Sequence, residues 1–358
     1  MKVSLLANPS YLDKRFPPGW PVPPRIWDPE VGTESMQRIF EVYDMAAELG
    51  FDWLAVSEHH YFPSLLGPNP NLIAAVLANR YPQVGIAVLG AVLPQVNPIR
   101  VAEEYATLDA LSGGRLLAGM FRGLPNEFIA YGTNPSQARE MFDEAFELIL
   151  RAWTEPEPFW WEGRYYRFPV VSLWPRPVQQ PYPPIVVSGT SAQSAAFAGR
   201  HRLKLGLIFI IGAERAAEMV RIYREAAAEA GWEPSPDDIL YRARVYVADS
   251  DAQAEADSRE FELGDFMGPI APPPERRGAW GAIMAEAATG HGGSRPPGRG
   301  TMPEYYGNPD TVAAALRAES ERIGYGVLDF SFDAFHLPHG KALRSLELFG
   351  REVLPQLR

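Results

Sequence analysis

No cysteine occurs among the 358 residues. Its absence excludes disulfides, a thiolate nucleophile, cysteine-held zinc and iron–sulfur clusters. Lysine is almost as scarce: Lys2, Lys14, Lys204 and Lys341 are the only four among 33 basic residues. Arginine supplies the rest, a skew read mainly as compositional bias and secondarily as phosphate-binding chemistry. Positive charge is also in deficit. Lys+Arg 33 against Asp+Glu 44 leaves a net charge of −11, the opposite of what a nucleic-acid binder presents. No apolar run reaches the ~20 residues of a membrane span. The opening MKVSLLANPS is interrupted at Asn8 and Pro9 before a signal-peptide core can form, so a cytoplasmic location is expected.

What is present is an alternation of short β runs and helical stretches. Strands are expected at Lys2–Leu6, Phe51–Ser57, Val84–Leu93, Arg115–Met120, Ile185–Ser188, Leu203–Ile210, Ile239–Ala248 and Val327–Phe332. Helical periodicity separates them. One helix is expected to be capped by Thr33 and closed by Gly50, another to open at Pro98, and others to run over Asn71–Arg80, Ser136–Trp153, Ala192–Arg200, Ala213–Gly231, Asp251–Leu263, Pro309–Ile323 and Leu343–Val353. Val84–Leu93 is nearly continuous in apolar residues, as a strand buried on both faces should be. Phe159–Phe168 reads as a hairpin turning at Glu162-Gly163. A Gly/Pro-rich segment at 264–303 breaks the rhythm and is expected to be a long functional loop. Eight strands separated by helices predict a (β/α)8 TIM barrel with insertions, as one domain over 1–358. An open doubly wound sheet would need a glycine-rich fingerprint after the first strand, and Ala7–Phe16 has none.

In such a barrel the active site lies at the C-terminal strand ends. The second strand ends in Glu58-His59-His60, the fourth in Phe121-Arg122-Gly123, and the fifth in Ser188-Gly189-Thr190-Ser191. Successive residues leaving a strand point opposite ways, so only one of the two histidines is expected to face the mouth. A histidine there suits general acid/base work near neutral pH. The other reading is one packed and one solvated imidazole. A metal would need a third ligand, for which His336 and His339 are the candidates, and nothing fixes that geometry. The turn Ser188–Ser194 offers backbone N–H groups and hydroxyls that can cradle a phosphate, or simply cap a helix. Arg122 and Arg139 could each add a guanidinium fork, or serve as surface ion pairs. The aromatics at 159–168 are a packing cluster or a pocket wall.

Taken in order, the blocks resemble the bacterial luciferase-like flavin-dependent monooxygenases. They are FDWLAVSEHHYF (51–62), VLPQVNPIRVAEEYATLDALSGGRLLAGMFRGLPNEFIAYG (92–132), NPSQARE (134–140), PPIVVSGTSAQSAAFAG (183–199), YYGNPDTVAAAL (305–316) and HGKALRSLELFGREVLPQL (339–357). The resemblance covers essentially the whole chain. It implies a barrel that receives reduced FMN from a separate flavin reductase and uses O2 to form a C4a-(hydro)peroxyflavin that oxygenates a substrate; the aromatic and proline-rich stretches themselves point to a small, apolar or cyclic organic molecule. It also implies His59 as the catalytic histidine; Glu58, its neighbour at the strand end, is the expected orienting partner. Phosphate binding falls on Arg122 and Arg139 and on the turn of Gly189, Thr190 and Gln193. A non-prolyl cis peptide under the flavin falls near Leu89-Gly90. The 264–303 segment corresponds to a mobile covering loop, and a homodimer through early barrel helices is the family's habit.

Two departures bear on the substrate pocket, which Phe121, Asn97 and His60 are expected to line. Luciferase carries a reactive cysteine where Phe121 stands and a histidine where Asn97 stands. Light emission and aldehyde oxidation are therefore not implied. Three rivals remain at this level. One is an F420-dependent oxidoreductase of the same superfamily, separable by which flavin binds. Another is a non-catalytic flavin-binding subunit, against which the retained His59 and arginines stand. The third is a metal-dependent barrel hydrolase, which would carry stoichiometric metal.

Overall fold

The computed structural model describes residues 1–13, 15, 20–208, 212–261, 278–284, 303–332 and 337–358. Most of the expected covering loop at 264–303, the end of the expected strand at Ile210, and His336 lie outside them. The barrel strands are β1 (Lys2–Leu6), β2 (Trp53–Val56), β3 (Gly85–Val92), β4 (Leu116–Phe121), β7 (Ile185–Ser188), β8 (Lys204–Leu207), β9 (Ile239–Val247) and β11 (Val327–Ser331). All pair in parallel in that order, and β11 returns to β1, which closes an eight-stranded barrel. This is the (β/α)8 architecture that the alternation predicts.

Period-two patterning sorts the strand residues. Leu6, Ala55, Ala87, Leu89, Leu117, Val186, Leu240 and Val327 point into the barrel and form one cluster. Their neighbours Val3, Leu5, Leu54, Val56, Ile86, Val88, Ile185 and Val187 face outward into the layer shared with the helices. The helices are α1 (Pro29–Leu49), α2 (Pro70–Arg80), α3 (Pro98–Ser112), α4 (Pro125–Tyr131), α5 (Ala138–Thr154), α6 (Ala192–Arg200), α7 (Ala213–Glu229), α8 (Asp251–Glu260), α9 (Pro309–Ile323) and α10 (His339–Leu348). A wider π turn, Phe349–Val353, and Leu354–Leu357 continue α10.

Several boundaries differ from expectation. The cap of α1 is Asp28, whose carboxylate accepts the N–H groups of Glu30 and Val31. An Asp-Pro start supplies both the cap and a preset φ, so the helix opens before Thr33, whose hydroxyl instead bonds back to the Pro29 carbonyl. The hairpin is β5 (Phe159–Glu162) against β6 (Arg167–Val171), inserted between α5 and β7. Two elements were not expected: the seven-residue α4, and β10 (Glu304–Gly307), which extends the sheet beside the upper half of β9.

Between β3 and β4 the register shifts just where Leu89–Gly90 is a cis peptide. Here two backbones come unusually close. A Cβ on Gly90 would lie 2.6 Å from the Gly119 carbonyl oxygen, and one on Gly119 would lie 2.2 Å from that of Val88. Tyr105 from α3 bridges the irregularity. Its buried hydroxyl accepts the Ala91 N–H at 3.1 Å and donates to the Gly119 carbonyl at 2.6 Å.

Candidate active site at the barrel mouth

The chain leaving β2 carries Glu58, His59 and His60, all buried. Glu58 and His60 are two residues apart and fall on one side. Glu58 Oε1 lies 3.0 Å from His60 Nε2, and its Oε2 accepts the Val92 N–H at 3.0 Å. His59 points the other way, and its Nδ1 lies 3.0 Å from Glu127 Oε1 on α4. The expected pairing of Glu58 with His59 is thus corrected: adjacent residues diverge, and a carboxylate from a different element meets His59. The other Glu127 oxygen accepts the Leu124 N–H, which fixes the carboxylate at the start of α4. The helix is held again at its far end, where the Tyr131 ring lies 4.6 Å from the His60 ring and Tyr61 bonds the Ala130 carbonyl.

Across the mouth, α5 and the β7–α6 turn bring a second group together. Arg139 Nη2 donates to Ser194 Oγ at 2.9 Å, and Nη1 lies 3.8 Å from Asp143 Oδ1. Its buried Nε has no partner. Ser191 caps α6 through Oγ, which also bonds Ser194 Oγ. Arg122, open to solvent on one side, follows β4. Surrounding protein and then the neighbouring Arg139 hold its guanidinium below the ordinary arginine range. Burial raises the Asp143 carboxyl, and Arg139 opposes that shift. Two guanidiniums that repel each other, an orphaned buried N–H and a hydroxyl-lined helix start fit a phosphate monoester. The turn residues contribute unevenly. The Gly189 N–H is occupied by the Gly206 carbonyl on β8. Thr190 offers its hydroxyl while its carbonyl accepts from Arg215, and Gln193 is exposed in the first turn of α6. Ser194 belongs to the hydroxyl-rich turn singled out in the sequence, whereas Arg215 was not singled out there.

Leu89 and Gly90 sit on the β3 wall, and Phe121 stands half-buried at the end of β4 against the inner cluster. Asn97 does not join them. It is exposed, and its side chain caps α3 by accepting the Ile99 and Arg100 N–H groups, so it is corrected from pocket residue to helix cap. The opposite wall is polar, which was not anticipated. Arg242 and Arg244 point inward from β9, and Arg242 Nε donates to Asp329 Oδ2 of β11 at 2.7 Å. Arg244 lies 3.4 Å from Glu304 of β10. The signal lay in the strand itself, which sets arginines at alternate positions of an otherwise apolar run.

Among the described residues no group of three His, Asp or Glu is arranged to hold a metal ion, and no helix is long and apolar enough to cross a membrane. The family model described as luciferase-like monooxygenase matches residues 18–326. The alkanal monooxygenase alpha chain of Photorhabdus luminescens is 30% identical over 56% of this chain. The match spans 55% of that relative, about half its length. The oxygenase component of the flavin-dependent trigonelline monooxygenase of Acinetobacter baylyi is 26% identical over 67% of each chain. The crystal structure of monooxygenase RslO1 from Streptomyces bottropensis superposes with a TM-score of 0.78 at 25% identity, covering all of both chains. The match of the family model over most of the sequence is decisive: this chain belongs to the luciferase-like monooxygenases.

Proposed function

We propose that the protein is the oxygenase component of a two-component monooxygenase that receives reduced FMN from a separate flavin reductase and inserts an oxygen atom from O2 into a small organic substrate. The observation that carries this reading is the pairing, on one barrel mouth, of an arginine–serine phosphate cradle with a buried His59–Glu127 pair. A relative described as the oxygenase component of a flavin-dependent monooxygenase supports the division of labour. When bound, reduced FMN supplies the electrons and the oxygen-activating centre.

The chain's own residues have separate tasks in this reading. Arg139, through its orphaned Nε, and Arg122 bind the phosphate beside Thr190, Ser194 and Gln193. Leu89 and Gly90 form the floor beneath the ring, and Tyr105 and Glu58 hold the backbone that follows it. His59 acts as general acid/base at Nε2, because Glu127 occupies Nδ1 and fixes the ring's orientation. Glu58 is a positioning residue in this scheme. Phe121 shapes the pocket beside the reacting centre, while His60, on the side away from His59, packs against Tyr131 and steadies α4 rather than lining the pocket. We also infer a homodimer through α2 and α3, whose Leu72, Val76 and Leu111 are exposed apolar residues.

The test is rapid mixing of the protein with reduced FMN and dissolved O2. The proposal expects oxidised flavin to appear later than in protein-free buffer, preceded by a transient absorbance distinct from both reduced and oxidised FMN. Immediate oxidation, or preferential binding of a deazaflavin in a fluorescence titration, would overturn it.

A further inference from the structure

The mouth of the barrel has two unlike walls. On one side lie Leu6, Leu89, Val186 and Phe121. On the other lie Arg242 and Asp329, which are 4% and 1% exposed. A barrel of this type staggers its strands by about one residue each. Following the pairing round the ring places Arg242 level with Leu6, Leu89 and Ser188, at the floor on which the proposed flavin and substrate rest.

The Arg242–Asp329 contact is incomplete. An arginine and a carboxylate side by side normally form two parallel bonds. Here only Nε and Oδ2 meet, while Arg242 Nη2 and Asp329 Oδ1 are both buried and both without a partner. Ser4 is the register neighbour of Asp329 on β1, and its buried Oγ is unpartnered too. Two free donors, Arg242 Nη2 and the Ser4 hydroxyl, and one free acceptor, Asp329 Oδ1, therefore stand on three successive strands, facing inward. Leaving them unmet is costly, and a hydrocarbon chain packed over them would make that cost permanent.

We infer that Arg242 and Asp329 form the polar subsite of the substrate pocket, built for a carbonyl oxygen standing next to an N–H or O–H, as in a cyclic amide, rather than for a plain alkyl chain. The carbonyl oxygen accepts from Arg242 Nη2, and the adjacent N–H donates to Asp329 Oδ1. The apolar remainder of the molecule lies against Leu6, Leu89 and Phe121. The pair discriminates strongly, because a ligand lacking either partner leaves a buried polar atom unmet. This assignment rests on the mouth being the substrate pocket of the proposed oxygenase.

Three probes separate the possibilities: 2-piperidone, N-methyl-2-piperidone and cyclohexanone, titrated against the full-length protein by saturation-transfer NMR. 2-Piperidone is expected to bind at least about tenfold more tightly than the other two. The double variant Arg242→Met/Asp329→Leu removes both charges together, a replacement that buried ion pairs commonly tolerate. It is expected to bind all three probes alike. Circular dichroism and the thermal midpoint on the same samples are the control for an intact fold, and FMN binding to the unaltered protein is followed by fluorescence. Equal binding of the three probes to the unaltered protein, or a 2-piperidone preference that survives in the double variant, overturns the subsite. If the protein prefers 2-piperidone yet binds no FMN, the subsite stands and the oxygenase reading falls.

Discussion

His59 and His60 are neighbours in the chain, yet each takes its carboxylate from a different direction. His60 uses Glu58, two residues away, and His59 uses Glu127, 68 residues away. Replacing Glu127 by Gln leaves the shape and removes the charge that holds His59. The expected result is a fall in kcat of up to about 100-fold, at the lower edge of the ~10²–10⁴-fold acid/base contribution because His59 itself remains, with FMN affinity little changed; steady-state oxidation coupled to a flavin reductase measures the first and flavin fluorescence the second. Arg139→Ala addresses the other side of the mouth. Losing a charge-assisted contact of about 1.5–3 kcal/mol should weaken FMN binding by a similar factor, read by the same titration. The histidines and arginines were legible in the sequence because strand ends in a barrel mark the site. The pairings were not, because Glu127 meets His59, and Ser194 meets Arg139, only where distant segments are brought together by the closed ring; the Arg242–Asp329 wall was missed as a whole for the same reason. Asn97 shows the converse: an Asn-Pro pair before a helix is a cap signal, and the cap prevailed over the pocket.

The β3–β4 junction depends on one side chain from a helix. Tyr105 satisfies both the Ala91 N–H and the Gly119 carbonyl where the two strands fall out of register. Tyr105→Phe leaves two buried backbone groups unmet and should destabilise the fold by roughly 1–3 kcal/mol, visible in the denaturation midpoint. Hydrogen exchange gives a finer reading. The Ala91 amide should lose protection in this variant, whereas the Val92 amide, held by Glu58, should keep it. The strands themselves were readable from period-two patterning, and β3 from its unbroken apolar run. The elements that were missed are short: α4 has seven residues and β10 four, too few for a periodicity to emerge. Those two nevertheless carry Glu127 and Glu304, so the least legible elements supply charged partners to the mouth.

Among the described residues the exposed large apolar side chains include Leu72 and Val76, which lie one turn apart on one face of α2. If that face joins two copies, Leu72→Asp with Val76→Asp should convert a dimer to a monomer in sedimentation velocity, with little change in helical content by circular dichroism. The whole molecule also carries a net charge of −11, against which Arg122 and Arg139 form a small local exception. The two act over different distances. Screening shortens from ~30 Å at 0.01 M salt to ~8 Å at 0.15 M, so added salt removes the long-range repulsion first and loosens the contact grip as well. Stopped-flow binding of FMN should therefore show association and dissociation rates both rising with ionic strength. A basic surface would steer the phosphate inward and give the opposite trend in association. A site of this kind exchanges its cofactor faster in salty water, and suits a ligand that arrives, reacts and leaves with each turnover.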